Sequence, residues 1–201
     1  MSAYVLFFGG YHATLTDINV WSASAKAQKS DVTFDGYPWP HGAGAGAESA
    51  IAAFTKAGSY AQAIATVHEC ATDLIYLVGH SSGCAIANAV DRGLKDTSKV
   101  ILVALDGFAP SRAQLARPIT QVWAAECGRA KSRNHDGLKN AVGSRLKIYK
   151  ATHCHHSSWA LHFSVVNSAA SDKAVTSIAT GYAHCRANLC WMRSLAGQSL
   201  H

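Results

Sequence analysis

A strand, a five-residue turn and a helix follow one another without spare residues between positions 74 and 90. Residues 74–78 read LIYLV, the turn at 79–83 reads GHSSG, and residues 84–90 read CAIANAV. A serine at the centre of so short a strand-to-helix turn takes up a strained backbone conformation that lifts its hydroxyl clear of the sheet. Glycines flank it because side chains there would collide with the neighbouring strand and helix. The unit therefore predicts a buried strand with an accessible serine, Ser81, at its carboxyl end.

Strands and helices alternate through most of the chain. Apolar or β-branched runs predict strands at 4–8, 31–35, 74–78, 100–105, 119–124 and 146–150. Helices are predicted at 16–29, 47–69, 84–94 and 135–143, with a closing helix after Trp159 and a weaker one at 183–194. Runs that are apolar on both faces are typical of parallel strands covered on both sides. The sequence thus predicts a three-layer α/β/α sandwich around a mostly parallel sheet of about six strands.

Length and composition favour one domain over residues 1–201. Hydrophobic residues make up 49% of the chain and charged residues 15%, which excludes a disordered protein. The first residues carry no basic start and too short an apolar run to span a bilayer, so we expect no membrane contact and a cytoplasmic location. The six cysteines show no paired spacing, which favours reduced thiols. A bridge between Cys127 and Cys154 stays open as an alternative.

The net charge of +6 is concentrated in one stretch. Residues 112–150 hold nine basic and two acidic side chains. A solvated face is the simplest interpretation. The alternative is a surface for an anionic partner, such as a phosphopantetheine-bearing carrier or coenzyme A. Nucleic acid is not expected, because no nucleic-acid module accompanies the charge.

The turn at 79–83 and its setting resemble the nucleophile elbow of the α/β-hydrolase superfamily, and the resemblance covers the chain to about residue 165. It implies a serine nucleophile, an acid and a histidine base, in that order along the chain. One oxyanion donor would be the N–H of Ser82 at the start of the helix. The superfamily takes the second donor from the loop after the first core strand, which implies the N–H of Gly10 or Tyr11.

Two carboxylates are candidates for the acid. Asp106 ends the strand at 100–105, and the segment 105–110, LDGFAP, is similar to the acid segment of thioesterase domains from polyketide and nonribosomal peptide synthesis. Glu126 follows the next strand, where most other members of the superfamily keep their acid. We favour Asp106, with Glu126 as the alternative. Those thioesterase domains carry a lid insertion after the acid strand. In this chain only residues 107–118 separate that strand from the next one, so we predict a minimal lid and an open cleft.

The base is expected after the last strand, where residues 151–159 read ATHCHHSSW. His153 has the superfamily's usual offset from the strand. His156 matches a histidine followed three residues later by a bulky apolar side chain, here Trp159. We favour His156 and keep His153 as the alternative base. The resemblance then implies a thioesterase-like serine hydrolase of thioesters or carboxylic esters, with a small-ester carboxylesterase as the alternative.

Three further interpretations compete. The histidines at 153–156 could bind a metal with Cys127, His162 or Cys185, but neither H-E-x-x-H nor C-x-x-C spacing is present, so no metal is predicted. Residues 42–47, GAGAGA, match the letters of a dinucleotide fingerprint but do not directly follow a strand, so no cofactor is predicted. A catalytically silent binding protein with the same fold is the alternative from another class.

Overall fold

Seven strands in the described part of the chain form a single sheet. The structure is a computed structural model that describes residues 2–28, 30–109, 111–116, 120–151 and 158–164. The strands are β1 Ala3–Phe8, β2 Val32–Tyr37, β3 Leu74–His80, β4 Val100–Leu105, β5 Gln121–Cys127, β6 Ala130–Lys131 and β7 Leu146–Lys150. The helices are α1 Leu15–Gln28, α2 Ala47–Lys56, α3 Ser59–Glu69, α4 Gly83–Gly93, α5 Arg112–Leu115, α6 His135–Val142 and α7 Ser158–Ser164.

The sheet is parallel except for one short strand. Its order is β2-β1-β3-β4-β5, β7 pairs with the other side of β5, and the two-residue β6 runs antiparallel to the end of β5. All six longer strands therefore end at one edge, where the loops that follow them meet. In open α/β sheets ligands bind at this carboxyl edge.

Helices cover both faces of the sheet. On one face the β1 side chain of Phe7 packs with Trp21 of α1 and Phe163 of α7 in one buried cluster. On the other face α2, α3 and α4 pack against the sheet, with Phe8 and Phe54 in contact there. Alternate residues of each strand point to opposite faces, so continuous apolar strands are what a sheet covered twice requires. The predicted three-layer fold is confirmed.

The predicted helix at 47–69 is in fact two helices. The first ends at Lys56 and the second begins at Ser59, because Gly58 has a φ of +76°. A residue in the left-handed conformation cannot continue a right-handed helix, and glycine adopts that conformation without strain. The predicted helix at 183–194 lies outside the described residues. No helix in the described ranges is both long enough and apolar enough to span a membrane.

Cysteine pairing also differs from the expectation. Cys127 is disulfide-bonded, whereas Cys70 and Cys84 are free. Parallel pairing of β5 with β7 brings the end of β5 beside residue 151, and Cys127 Sγ lies 3.1 Å from the Ala151 carbonyl oxygen. The expectation of reduced thiols is therefore wrong for Cys127, because strand pairing sets its neighbours and cysteine spacing does not.

Candidate active site

Ser81 sits on a strained turn between β3 and α4. Its φ is +54°, in the left-handed region, where a residue other than glycine is strained by about 1–3 kcal/mol. Two hydrogen bonds hold it there: the Ser81 N–H donates to the Leu105 carbonyl at 2.9 Å, and the Ser81 carbonyl accepts from the Cys84 N–H at 3.1 Å. The strained serine expected from the sequence is thus found in the backbone.

Glycines on both sides of the turn allow three backbones to converge. A Cβ on Gly79 would lie 2.5 Å from the Cα of Cys84. A Cβ on Gly83 would lie 2.3 Å from the carbonyl oxygen of Phe8, at the end of β1. The start of α4 therefore packs directly against the chain leaving β1, which no larger residue at these positions would allow.

The residues expected to hold an oxyanion lie at this junction. Ser82 precedes the first residue of α4, and both Ser82 and Tyr11 line the cleft in front of Ser81. Gly10 is buried, and its carbonyl accepts from the Ala13 N–H at 2.9 Å in a tight turn. The loop after β1 is thus held against the positive end of α4, where backbone N–H groups would stabilise negative charge.

Asp106 follows β4 directly and is fully buried. Its own N–H donates to the Trp123 carbonyl at 2.8 Å, and its φ is +41°. Ser132 Oγ donates to its Oδ1 at 2.6 Å, and the Asn134 N–H points to Oδ2 at 3.5 Å. The Nδ1 of His162 lies 2.5 Å from the same Oδ2. A buried carboxylate with three such neighbours has a defined orientation and directs one oxygen at an imidazole.

His162 lies on α7 and is almost completely buried. Its backbone carbonyl oxygen lies 3.0 Å from Nε2 of His80, the last residue of β3, and the two ring centroids are 4.7 Å apart with their planes inclined by 38°. A carbonyl can only accept, so this contact requires the proton of His80 on Nε2. Burial, and then the proximity of His162, hold the pKa of His80 well below its usual value. His80 is therefore a neutral hydrogen-bond donor that anchors the backbone of His162.

The expected base and the histidine beside the acid are different residues. His153 and His156 both lie outside the described residues, and sequence reasoning considered His162 only as a metal ligand. The superfamily's base is expected in the loop directly after β7, whereas His162 stands twelve residues beyond Lys150, within a helix. Its signal in the sequence was a polar residue between the apolar Leu161 and Phe163, which are both buried.

Glu126, the alternative acid, belongs to a different cluster. It contacts Lys150 Nζ of β7, and its Oε1 lies 2.7 Å from Nε2 of His135 on α6. The other ring nitrogen of His135 lies 2.9 Å from Asp136. The hydrogen bond from Lys150 holds the pKa of Glu126 below its usual value. Asp106, not Glu126, is the carboxylate that the structure places beside His162.

A cleft of about 330 Å³ opens in front of Ser81. Its described lining consists of Tyr11, Ala45, Ser81, Ser82, Gly107, Phe108, Arg133, Asn134, His162 and Phe163. The glycine-rich stretch at 42–47 reaches this cleft, because Ser82 Oγ donates to the Ala45 carbonyl at 3.1 Å. Between β4 and β5 the described residues form only the four-residue helix α5.

Within the described ranges, no group of three or more His, Cys, Asp or Glu side chains is arranged to hold a metal. The histidines at 153–156 and Cys185, which the metal alternative needs, fall outside those ranges. The two imidazoles that do meet, His80 and His162, are occupied by a carbonyl and a carboxylate.

Comparison with known proteins gives structural matches alone: no protein-family model and no curated protein matches the chain. An alpha-beta serine hydrolase homologue from Coxiella burnetii matches 74% of this chain and 74% of its own, at 12% identity and a TM-score of 0.46. SOBER1 from Arabidopsis thaliana matches over 79% of this chain and 94% of the SOBER1 chain, at 12% identity and a TM-score of 0.47. A Thermoplasma acidophilum protein described as a predicted CIB-like hydrolase matches over 75% of this chain and 76% of its own chain, at 16% identity and a TM-score of 0.44.

The chain's own architecture defines its class. A mostly parallel sheet between two helical layers, with a strained serine between its third strand and the following helix, is the arrangement of the α/β-hydrolase fold.

Proposed function

We propose that the chain is a serine hydrolase that cleaves a carboxylic ester or thioester through Ser81, His162 and Asp106. The observation that carries the proposal is the 2.5 Å contact between Nδ1 of His162 and the buried carboxylate of Asp106, beside a cleft that Ser81 lines. An imidazole that donates Nδ1–H to a carboxylate carries no proton on Nε2, and that nitrogen is the one that can accept a proton from a serine hydroxyl. His162 is therefore our candidate base, in place of His156 and His153.

The reaction follows from these roles. Ser81 Oγ attacks the acyl carbonyl while His162 takes its proton, and Asp106 stabilises the imidazolium. The oxyanion is held by the N–H of Ser82 and that of Gly10 or Tyr11. Collapse breaks the bond to the alcohol or thiol, which leaves with the proton from His162. Water, deprotonated by His162, then attacks the acyl-enzyme and releases the acid and the Ser81 hydroxyl.

The cleft volume favours a short acyl group. At about 330 Å³ it lies near the lower end of the range for small-molecule sites, roughly 300–1,000 Å³. A small ester, or a short acyl thioester delivered on coenzyme A or a carrier protein, suits it better than a long lipid chain. The basic stretch at 112–150 would favour the delivered thioester. The disulfide at Cys127 is more typical of an oxidising compartment than of the cytoplasm predicted from the sequence.

The test is covalent labelling with a fluorophosphonate, followed by hydrolysis of 4-nitrophenyl acetate and acetyl-coenzyme A. We expect labelled wild type, unlabelled Ser81→Ala, and unchanged labelling in Ser98→Ala, a matched control at an exposed serine near the start of β4. Folded wild type that stays unlabelled and inactive would favour the silent binding protein instead.

The identity of the base needs its own variants. His162→Gln should lower kcat by about 10³-fold or more, because the proton acceptor is lost. His153→Gln and His156→Gln should stay within a few-fold of wild type. Loss of activity in either of these, with activity retained in His162→Gln, would return the role to the loop after β7.

A further inference from the structure

One charged side chain stands at the mouth of the cleft. Among the described residues that line it, Arg133 is the one with a permanent charge, and it is exposed. The neighbouring walls are largely apolar: Phe163 is buried at 1% exposed area, whereas Phe108 is 48% exposed. An acyl group with an apolar stem and an anionic end would match this combination of surfaces.

The backbone of Arg133 is fixed relative to the proposed triad. The residue before it, Ser132, donates its hydroxyl to Oδ1 of Asp106 at 2.6 Å. The residue after it, Asn134, donates its side-chain amide to the Asp106 carbonyl at 2.7 Å. Ser132 is also held through its N–H, which donates to the Ala125 carbonyl at 2.9 Å. Arg133 is therefore tied on both sides to the residue that would orient the base.

We propose that Arg133 is a specificity residue that selects ester or thioester substrates with an anionic group, a carboxylate or a phosphate. This rests on the proposed function and adds the substrate class. A guanidinium has a planar set of donors that binds either anion through two parallel hydrogen bonds, and it stays charged at every working pH. The anion can belong to the acyl part, as in a dicarboxylic half-ester, or to the leaving group, as in the phosphates of a coenzyme A thioester.

The experiment compares substrates of the same shape and different charge. For the acyl side the pair is mono-4-nitrophenyl glutarate and 4-nitrophenyl 5-methylhexanoate, in which an isopropyl group replaces the carboxylate. For the leaving-group side the pair is 4-acetoxybenzoate and 4-isopropylphenyl acetate. Rates above the uncatalysed background are measured for wild type, Arg133→Gln and Arg129→Gln. Arg129 is an exposed arginine in the turn between β5 and β6, so its variant has the same net charge.

We expect Arg133→Gln to lower kcat/KM by about 10-fold on the anionic member of one pair and by less than about 2-fold on its neutral partner, the scale of a charged hydrogen bond. Arg129→Gln should leave both unchanged. Raising the salt concentration should shrink the wild-type preference, since an exposed charge is screened. The pair that responds tells which part of the substrate carries the anion. Equal losses on both members of each pair, or no loss, overturn the inference.

Failure of the proposed function would look different. Wild type would then resist the fluorophosphonate and hydrolyse none of the four esters. In that event binding of glutarate, measured by calorimetry on wild type and Arg133→Gln, still decides whether Arg133 holds an anion in the cleft. If wild type and Arg133→Gln give equal heats of glutarate binding, or if neither gives any, the proposed anion-binding role of Arg133 is overturned.

Discussion

Replacing Asp106 by asparagine removes one charge from the site and changes little else. The side chain keeps its size, and Ser132 Oγ, at 2.6 Å, can still donate to an amide oxygen at the Oδ1 position. The amide NH₂ then occupies the Oδ2 position, 2.5 Å from Nδ1 of His162. Two N–H groups cannot face each other, so His162 must move its proton to Nε2. In that tautomer it can no longer accept the proton of Ser81.

The expected effect is a loss in kcat on the order of 10⁴-fold, the magnitude typical when a triad histidine is held in the wrong tautomer. At about 1.36 kcal/mol per factor of ten, this amounts to about 5 kcal/mol of transition-state stabilisation. The free energy of unfolding should change by less, about 1–3 kcal/mol, because one charged hydrogen bond is weakened while the volume is kept. The loss of activity should therefore far exceed the loss of stability.

The assay is steady-state hydrolysis of a 4-nitrophenyl ester together with urea unfolding of the same preparations. Glu126→Gln is the matched control, since it makes the same change from carboxylate to amide at the end of the next strand. We expect it to retain activity, because Glu126 contacts Lys150 and His135. If Glu126→Gln loses activity by 10³-fold or more while Asp106→Asn stays within 10-fold of wild type, the acid has been wrongly assigned.

Two further changes test the surroundings of the proposed triad. His80→Phe removes the Nε2 donor that lies 3.0 Å from the carbonyl oxygen of His162, and we expect kcat to fall by about 10-fold, with a smaller loss in His80→Gln, which keeps a donor. The pKa of His80 is depressed in the folded chain, so the unfolded chain takes up the proton first as pH falls below about 6.5. In urea titrations the free energy of unfolding of wild type should therefore fall between pH 6.5 and pH 5, and that of His80→Phe should fall less. Identical pH profiles of the two proteins would contradict this. Gly107→Ala places a Cβ 2.1 Å from the Ser81 carbonyl oxygen and 2.5 Å from Cys84 Sγ, so the turn around Ser81 must shift. We expect the free energy of unfolding to fall by about 1–3 kcal/mol and the activity to fall with it. Its control is Gly137→Ala, where a Cβ meets nothing within 4 Å, and equal stability of the two variants would refute the steric argument.

Much of the fold could be predicted because its determinants are local. Five predicted strands correspond to observed ones within a few residues, and the strand at 119–124 appears as Gln121–Cys127. An apolar run bounded by turn residues reveals a covered strand regardless of what covers it. The turn around Ser81 was likewise predictable, since its strain and its glycines are consequences of joining a strand to a helix in five residues.

The side chains that meet Asp106 come from distant parts of the chain. His162 is 56 positions from Asp106 in sequence, and α7 brings it there by packing on the same face of the sheet as α1. Arg133 gains its place in the cleft only because Ser132 and Asn134 bind Asp106. No spacing in the sequence encodes these contacts, because they arise from strand order and from the packing of helices on the sheet.

The sequence by itself therefore determined the layers, the sheet edge and the strained serine, each of which follows from local periodicity and sterics. Tertiary structure alone decided that His162 meets Asp106, that Glu126 lies in an ion-pair cluster with Lys150 and His135, and that Arg133 lines the cleft. The physical reason is that a side chain's chemistry depends on its neighbours, and in a parallel sheet those neighbours come from segments far apart in the chain.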